Sequence, residues 1–468
     1  MTLNLKERWI GDRSFYETVL AVAVPIMAQS LITNFVNMLD NIMVGQVGTL
    51  PMSGVSISNQ LLFIFNLAMF GTVNAVGIFS AQYFGRNDMD GVKNCLWLKL
   101  AACTLITIAG TAVLVLFGEQ LAGLYMDGEI NSAEDIAVTM ACSRQYILIM
   151  LAGMFPFAFT QCIASTMKEA GETVLPMRAS FLAVGVNFVF NWLLIFGHFG
   201  LPKMGIAGAA LATVISRFVE LAHVTISALG SKERFPFFAD FTENVHITKS
   251  LITSVAGRGL PLILNEVFWS MGVAAVAQCY STRGLDAVAA YNISNTVNSL
   301  FIIICISMGN AIGILVGQKL GAGEEEEAVE TDRKMIVMSV VLSALFGLVM
   351  ALLAPIFPAL YNTDDAVKET AAKLIRIGGL LMANAALYNS AYFTLRSGGK
   401  TVITFLFDSV FTCAVSFSLA YLLSRYTQMT LPQLFLSVQL ADVMKSVIGL
   451  WLVEKRVWVH NLVAHTQV

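Results

Sequence analysis

Apolar runs of about 20 residues, each long enough to cross a bilayer as a helix, recur from one end of the chain to the other. Inside hydrocarbon every backbone N–H and C=O must find its partner within the protein, so only helices and closed barrels span. The runs are too long for barrel strands, and the expected fold is all-α: a polytopic membrane protein. Glycine, asparagine and charged residues punctuate the runs. They place twelve spans at residues 15–44, 53–83, 94–118, 137–163, 173–197, 205–229, 250–281, 288–319, 334–360, 367–394, 401–424 and 431–453. Charged residues make up 13% of the chain, against about 25% in soluble domains. With a net charge of −3 and no large basic patch, nucleic acid is not an expected partner.

The first run follows "MTLNLKERWIGDRSF" but is too long for a cleaved signal and holds Pro25 and Asp40. It reads as an uncleaved first span. The bias of Lys and Arg sets orientation: with the amino terminus inside, the inner loops hold about 17 basic residues and the outer loops about 5. The inner set includes Arg8, Arg86, Lys168, Lys232, Arg234, Lys249, Lys334, Arg396 and Arg456. Both termini are expected in the cytoplasm, and the chain in the cytoplasmic (inner) membrane among its lipids. The seven cysteines show no paired spacing and read as small side chains packed between helices, not as disulfide or metal ligands.

The chain repeats itself. Shifted by 236 residues without a gap, Pro25 falls on Pro261, Ile57-Ser58-Asn59 on Ile293-Ser294-Asn295, Asn74-Ala75 on Asn310-Ala311, Gln82 on Gln318 and Gly85 on Gly321. Beyond a shorter loop the shift becomes 228, and Gly171 and Thr173 meet Gly399 and Thr401. The expected organisation is a six-helix lobe at 1–230, a cytoplasmic linker at 231–249 and a second six-helix lobe at 250–468. Six spans per lobe make the two copies enter the membrane in the same sense, a parallel repeat. A parallel repeat suits substrate binding between the halves and alternating access.

Within "NFVNMLDNIMVG" (34–45), Asp40 stands among Asn34, Asn37 and Asn41 in an otherwise oily helix. A carboxylate at the centre of a span costs about 2.5–3.5 kcal/mol even on the lenient insertion scale, so it is kept where it is paired, protonated or bound to a cation. Hydrogen bonding of Asp40 to asparagines as interhelical glue is the alternative. In the second half Glu266 follows the same logic, with Asn265 adjacent; its alternative is a structural hydrogen bond. Asp408 is a further acid, eight residues past Lys400, and a place at the inner interface is the favoured reading. Asp442 and Lys445, one turn apart, read as a self-neutralising pair. Pro25 and Pro261 are either hinges or prolines at the start of a helix.

Several motifs resemble those of the MATE (multidrug and toxic compound extrusion) transporters of bacterial type. They are Pro25…Asp40…Gly45, "AQYFG" (81–85), "NWLLIFGHFGLPKMGIAGAALATVISR" (191–217), "LPLILNEVFW" (260–269), "GNAIGILVGQKLGAGEEEEA" (309–328) and "LRSGGKT" (395–401). Each is loose alone; together, in order, they cover residues 15 to 460. The resemblance implies twelve helices in two lobes and a secondary antiporter that exports organic, often cationic or amphipathic compounds against Na+ or H+. It implies a cation site at Asp40, with Asn187, Asn191 and Thr213 as partners and Ala209 contributing its carbonyl. One branch of the family has a second Asp where this chain has Asn191, which leaves one formal charge and weakens any relay of a proton between two acids. Some members carry an acid in the tenth span; here only Asn384 and Asn389 stand there.

The chemistry of the residues agrees with that implication. Asn187 and Asn191 lie four apart and project from one helix face, and a hard cation such as Na+ takes oxygen ligands. Glu266, Asn265 and Asp408 are the candidates of the second lobe, and Asn34, Asn37, Asn295 and Asn389 those of the substrate cleft. "SGGKT" lacks the earlier glycine and the preceding strand of a phosphate loop and reads as a turn. "GEEEEA" reads as an acidic helix start. No nucleophile, metal set or soluble domain suggests an enzyme, and no cofactor is expected beyond the coupling ion. A functional monomer is expected. The alternative reading is a flippase for lipid-linked oligosaccharides or lipids, a distant relative of the family. Its mark would be a cluster of cavity bases, for which Arg144, Arg217 and Arg376 are the nearest residues.

Overall fold

The computed structural model describes residues 9–126, 132–231, 235–238, 245–361 and 363–464. Arg8, Lys232 and Arg234, used above for orientation, lie outside them. The described residues are helical throughout, without a β-strand. Seven helices cover the first half: α1 (Arg13–Gly45), α2 (Thr49–Gly85), α3 (Met89–Gly123), α4 (Ala133–Leu151), α5 (Met154–Glu169), α6 (Val174–Phe196) and α7 (Ile206–Gly230). Seven more cover the second: α8 (Lys249–Ser281), α9 (Leu285–Ala322), α10 (Glu325–Leu352), α11 (Asp365–Leu380), α12 (Met382–Ser397), α13 (Thr401–Tyr426) and α14 (Leu431–Glu454).

Ten of these are long and apolar enough to span, and the pairs α4–α5 and α11–α12 complete the twelve as bent spans of 48° and 50°. The spans expected at 137–163 and 367–394 are these two bent pairs. The first break falls at Ala152–Gly153, with Pro156 in the first turn of α5, where a missing N–H costs nothing. Arg217 of α7 braces it, donating to the Gly153 carbonyl at 3.3 Å and lying 4.7 Å from the Phe157 ring centroid. The second break, at Leu381, follows Gly378 and Gly379, and Gly379 lets α11 approach the backbone of α10 at Gly347. A side chain at Gly379 would overlap that backbone.

The helix starts obey the repeat. α1 and α8, α2 and α9, and α3 and α10 each begin 236 residues apart, and α5 and α12 begin 228 apart. Pro25 and Pro261 both lie well inside their helices, twelve residues past the first. A proline at the helix start is therefore ruled out for either. The two halves differ in the eleventh span, where Leu406–Val410 and Thr412–Phe417 of α13 are π-helical.

By contacts the chain forms two units, Met1–Met27 with Ala81–Asn87 and Thr253–Gln467, and Ala28–Ser80 with Asp88–Ile252. In the first, the last turns of α2 and α9 cross at small residues: Ala81 faces Gly317, and Gly85 and Gly321 each meet the backbone of the other helix's glutamine, Gln318 and Gln82. Small residues at such a crossing let two backbones touch. The segment after α14 straps this crossing. Trp458 is fully buried, Gln82 donates to the Ser397 and His460 carbonyls at 3.0 and 3.3 Å, and Leu462 N–H donates back to Gln82 at 2.7 Å. Arg456 adds two bonds to Glu326 of α10, at 2.6 and 3.1 Å. In the second unit, Gly197 ends α6 at φ 75° and returns the chain as a hairpin in which Met204 N–H donates to the Leu194 carbonyl at 2.9 Å. Gly208 then lies flush against the α6 backbone, and α7 runs close beside α6.

Candidate cation site

The α6–α7 hairpin and the second part of α1 bring Asp40, Asn187, Asn191, Ala209 and Thr213 together within one unit. Asn191 Nδ2 donates to Asp40 Oδ1 at 2.6 Å and to Asn187 Oδ1 at 3.0 Å. Asn187 Nδ2 donates to Thr213 Oγ1 at 3.3 Å, and Thr213 Oγ1 to the Ala209 carbonyl at 3.0 Å. Asn187 and Asn191 are buried while Asp40 is half-buried. The five residues named from the sequence thus form one connected cluster.

The cluster has more acceptors than donors. Asn191 Oδ1 is buried with no hydrogen-bond partner among the described residues. With its amide turned to satisfy its neighbours, Asn187 sets its nitrogen 2.9 and 3.2 Å from Asp40 Oδ1 and Oδ2 and donates to the carboxylate. A buried carbonyl without a donor costs on the order of 1–3 kcal/mol, and a hard cation would relieve it. The donor set of carboxylate, carboxamides, hydroxyl and backbone carbonyl is the kind that binds such an ion.

The second-half candidates also meet, in a different way. Asn265 Nδ2 donates to Asp408 Oδ2 at 3.0 Å and to Tyr392 at 3.3 Å, and Tyr392 lies 3.5 Å from Glu266 Oε1. Two sequence readings are corrected. Asp408 is not at an open interface but forms an ion pair with Lys445 at 2.5 Å, their side chains 13% and 4% exposed. Lys445 therefore does not pair with Asp442, which accepts from Ser416 at 3.2 Å. Of the cleft candidates, Asn34, Asn37 and Asn295 are exposed, and Asn389 donates to its own helix at the Ala385 carbonyl, 2.9 Å. None joins the cluster around Asp40.

The repeat register explains the asymmetry. At the places of Asp40, Asn187, Asn191 and Thr213 the second half has Val276, Val415, Leu419 and Ala441, and Val276 packs in an apolar cluster. Conversely, Asn265 and Asp408 stand where the first half has Gln29 and Ser180, and Lys445 where it has Arg217. Gln29 and Ser180 form a chain with Glu220: Gln29 Nε2 donates to Ser180 Oγ and Ser180 Oγ to Glu220, both at 2.7 Å. The second-half network is thus the counterpart of this hydrogen-bonded chain, not of the Asp40 cluster. Sequence reasoning missed Gln29, Ser180, Glu220 and the Lys445 partner. The repeat offsets would have pointed from Asn265 and Asp408 to Gln29 and Ser180, whereas Glu220 lies off that register.

Outside these sites, α3 and α5 share a buried ion pair. Lys99 Nζ lies 2.6 Å from Glu169 Oε2 and 3.0 Å from the hydroxyls of Ser165 and Thr166. A cavity of about 470 Å³ lies among Asp12, Phe15, Phe84, Gln318, Lys319 and Glu324. It is remote in chain position from the Asp40 cluster and its charges are engaged, since Asp12 caps Phe15 N–H at 2.9 Å and Lys319 holds Glu324 at 2.6 Å.

The MatE family model matches residues 25–193 and again 261–422, once in each half of the chain. A protein of Thermotoga maritima named "Probable multidrug resistance protein NorM" is 24% identical over 419 residues, 88% of this chain and 86% of its own. Among solved structures, an outward-facing multidrug resistance MATE family transporter of the MOP superfamily superposes with a TM-score of 0.83 at 17% identity, covering 94% of this chain and 96% of the other. A mutant of the Vibrio cholerae MATE transporter VcmN gives 0.83 at 17% identity, covering 96% and 98%.

Proposed function

The chain belongs to the MatE family of membrane transporters, and on that premise we propose that it is a secondary antiporter exporting small organic compounds, cationic or amphipathic, in exchange for Na+ or H+. The observation that carries the ion half of this reading is the buried Asn191 carbonyl beside the Asp40 carboxylate, which has no donor among the described residues. In this reading Asp40, Asn187, Asn191, Thr213 and the Ala209 carbonyl hold the coupling ion. Substrate release and ion uptake alternate as the two six-helix lobes, 1–230 and 250–468 with the linker between, change their access to either side. Both termini lie in the cytoplasm, the protein sits in the inner membrane among its lipids, and one chain is the working unit. Relatives named for multidrug resistance support export of varied organic compounds.

A lipid-linked flippase would present a group of bases to phosphate. Arg217 is instead engaged by the Gly153 carbonyl and the Phe157 ring, and Arg144 pairs with Glu119 at 3.0 Å. Everted membrane vesicles loaded with a fluorescent organic cation, with Na+ and H+ gradients imposed separately, test the proposal. Accumulation should respond to one of the two gradients. A response to neither, with translocation of a lipid-linked oligosaccharide instead, would replace the antiporter by the flippase.

A further inference from the structure

The Asp408 carboxylate is fully met by the chain itself. Oδ1 takes the Lys445 ammonium and Oδ2 the Asn265 amide, while Asn265 Oδ1 accepts from Ser409 at 2.8 Å. The ammonium also lies 4.8 Å from the Tyr388 ring centroid and 5.6 Å from that of Phe407, so aromatic faces meet the charge beside the carboxylate. Gly449, one turn beyond Lys445, leaves the room that Phe407 fills. At Asp40 the balance is the opposite: the buried Asn191 carbonyl beside it has no donor among the described residues. In the first half the repeat sets Gln29, Ser180 and Arg217 at the places of Asn265, Asp408 and Lys445, and Arg217 is turned to the Gly153 carbonyl and the Phe157 ring.

We propose that Lys445 is a tethered cation, a specificity-determining residue that occupies the second half's carboxylate and keeps it from taking a coupling ion. Transport then couples to one ion per cycle, at Asp40; this rests on the reading of Asp40 given above. A diffusing cation would have to displace a charge held in place by the chain, at the effective concentration a short tether provides. Without Lys445, a buried carboxylate lacks its counter-charge and draws in a cation or proton in its place.

Proteoliposomes with the membrane potential clamped, ethidium as the organic cation, and a graded gradient of the driving ion count the ions. The slope of the steady-state ethidium gradient on the ion gradient, both as logarithms, gives ions per cycle. Wild type, Lys445→Arg and the neutral double variant Asp408→Asn/Lys445→Met should each give one, and Lys445→Met two. A slope of one in Lys445→Met, or a double variant that falls below wild type, overturns the proposal. Should Lys445→Met fail to reach the membrane, Lys445→Gln takes its place, with a slope of two expected and a slope of one overturning the proposal. Asp40→Asn separates the two ideas: coupling that persists there refutes the Asp40 reading, whereas lost coupling there with a slope of one in Lys445→Met refutes only the tethered cation.

Discussion

At Asn191 one side chain does two jobs: its amide binds Asp40 and its carbonyl points into the cluster without a donor. A neutral carboxamide at this place limits the site to one formal charge. Asn191→Asp would set two carboxylates side by side, which repel until a cation or proton joins them. Apparent affinity for the driving ion should tighten by about tenfold, which asks about 1.4 kcal/mol of the released repulsion. Titration of efflux with the driving ion measures this, and superimposable curves would show that Asn191 does not line the site. Trp458 makes a prediction of another kind. It is fully buried, with its indole N–H donating to the Val453 carbonyl at 3.1 Å, and Trp458→Ala should cost about 3–5 kcal/mol through the cavity it leaves. A fall in the melting temperature of the purified protein checks it; an unchanged value would mean the strap carries no stability.

Proline inside a long helix removes one backbone bond and allows a bend, and α1 and α8 carry it at matching places. Only α1 leads from its proline to the Asp40 cluster. Pro25→Ala should therefore disturb ion coupling, and Pro261→Ala should mainly slow turnover, each with little change in equilibrium substrate binding. Equal and negligible effects in transport assays would remove the hinge. The helices themselves were legible because lipid enforces long apolar runs with internally paired backbones. The breaks at Gly153 and Leu381 were not, because apolar residues continue through them. What bends these spans is a long-range brace from Arg217 and a glycine contact between α10 and α11. The π-helical stretch around Asp408 was hidden for the same reason, since its side chains look like those of any buried helix.

Across the whole molecule the repeat describes the scaffold better than the chemistry. Helix starts keep one register for three spans in each half, yet Asp40 and its partners become Val276, Val415, Leu419 and Ala441. One half of the chain holds a polar cluster with an unpartnered buried carbonyl, and the other holds an acid already paired with its own lysine. The resemblance to the transporter family names the partners of Asp40, and only the four-residue spacing of Asn187 and Asn191 speaks for them independently. Asp40 itself could be named in advance because a lone carboxylate in a span is costly. Lys445 could not, because its nearest acid in sequence, Asp442, is not its partner in space. The central claim is that the Asp40 cluster holds the coupling ion, and ion-driven efflux from proteoliposomes carrying Asp40→Asn tests it most directly. Removing the charge makes insertion cheaper, so normal amounts of protein should reach the membrane. Wild-type efflux should accelerate with the imposed ion gradient, while Asp40→Asn should exchange substrate downhill at a rate indifferent to that gradient. Efflux by Asp40→Asn with an undiminished response to the ion gradient would contradict the account.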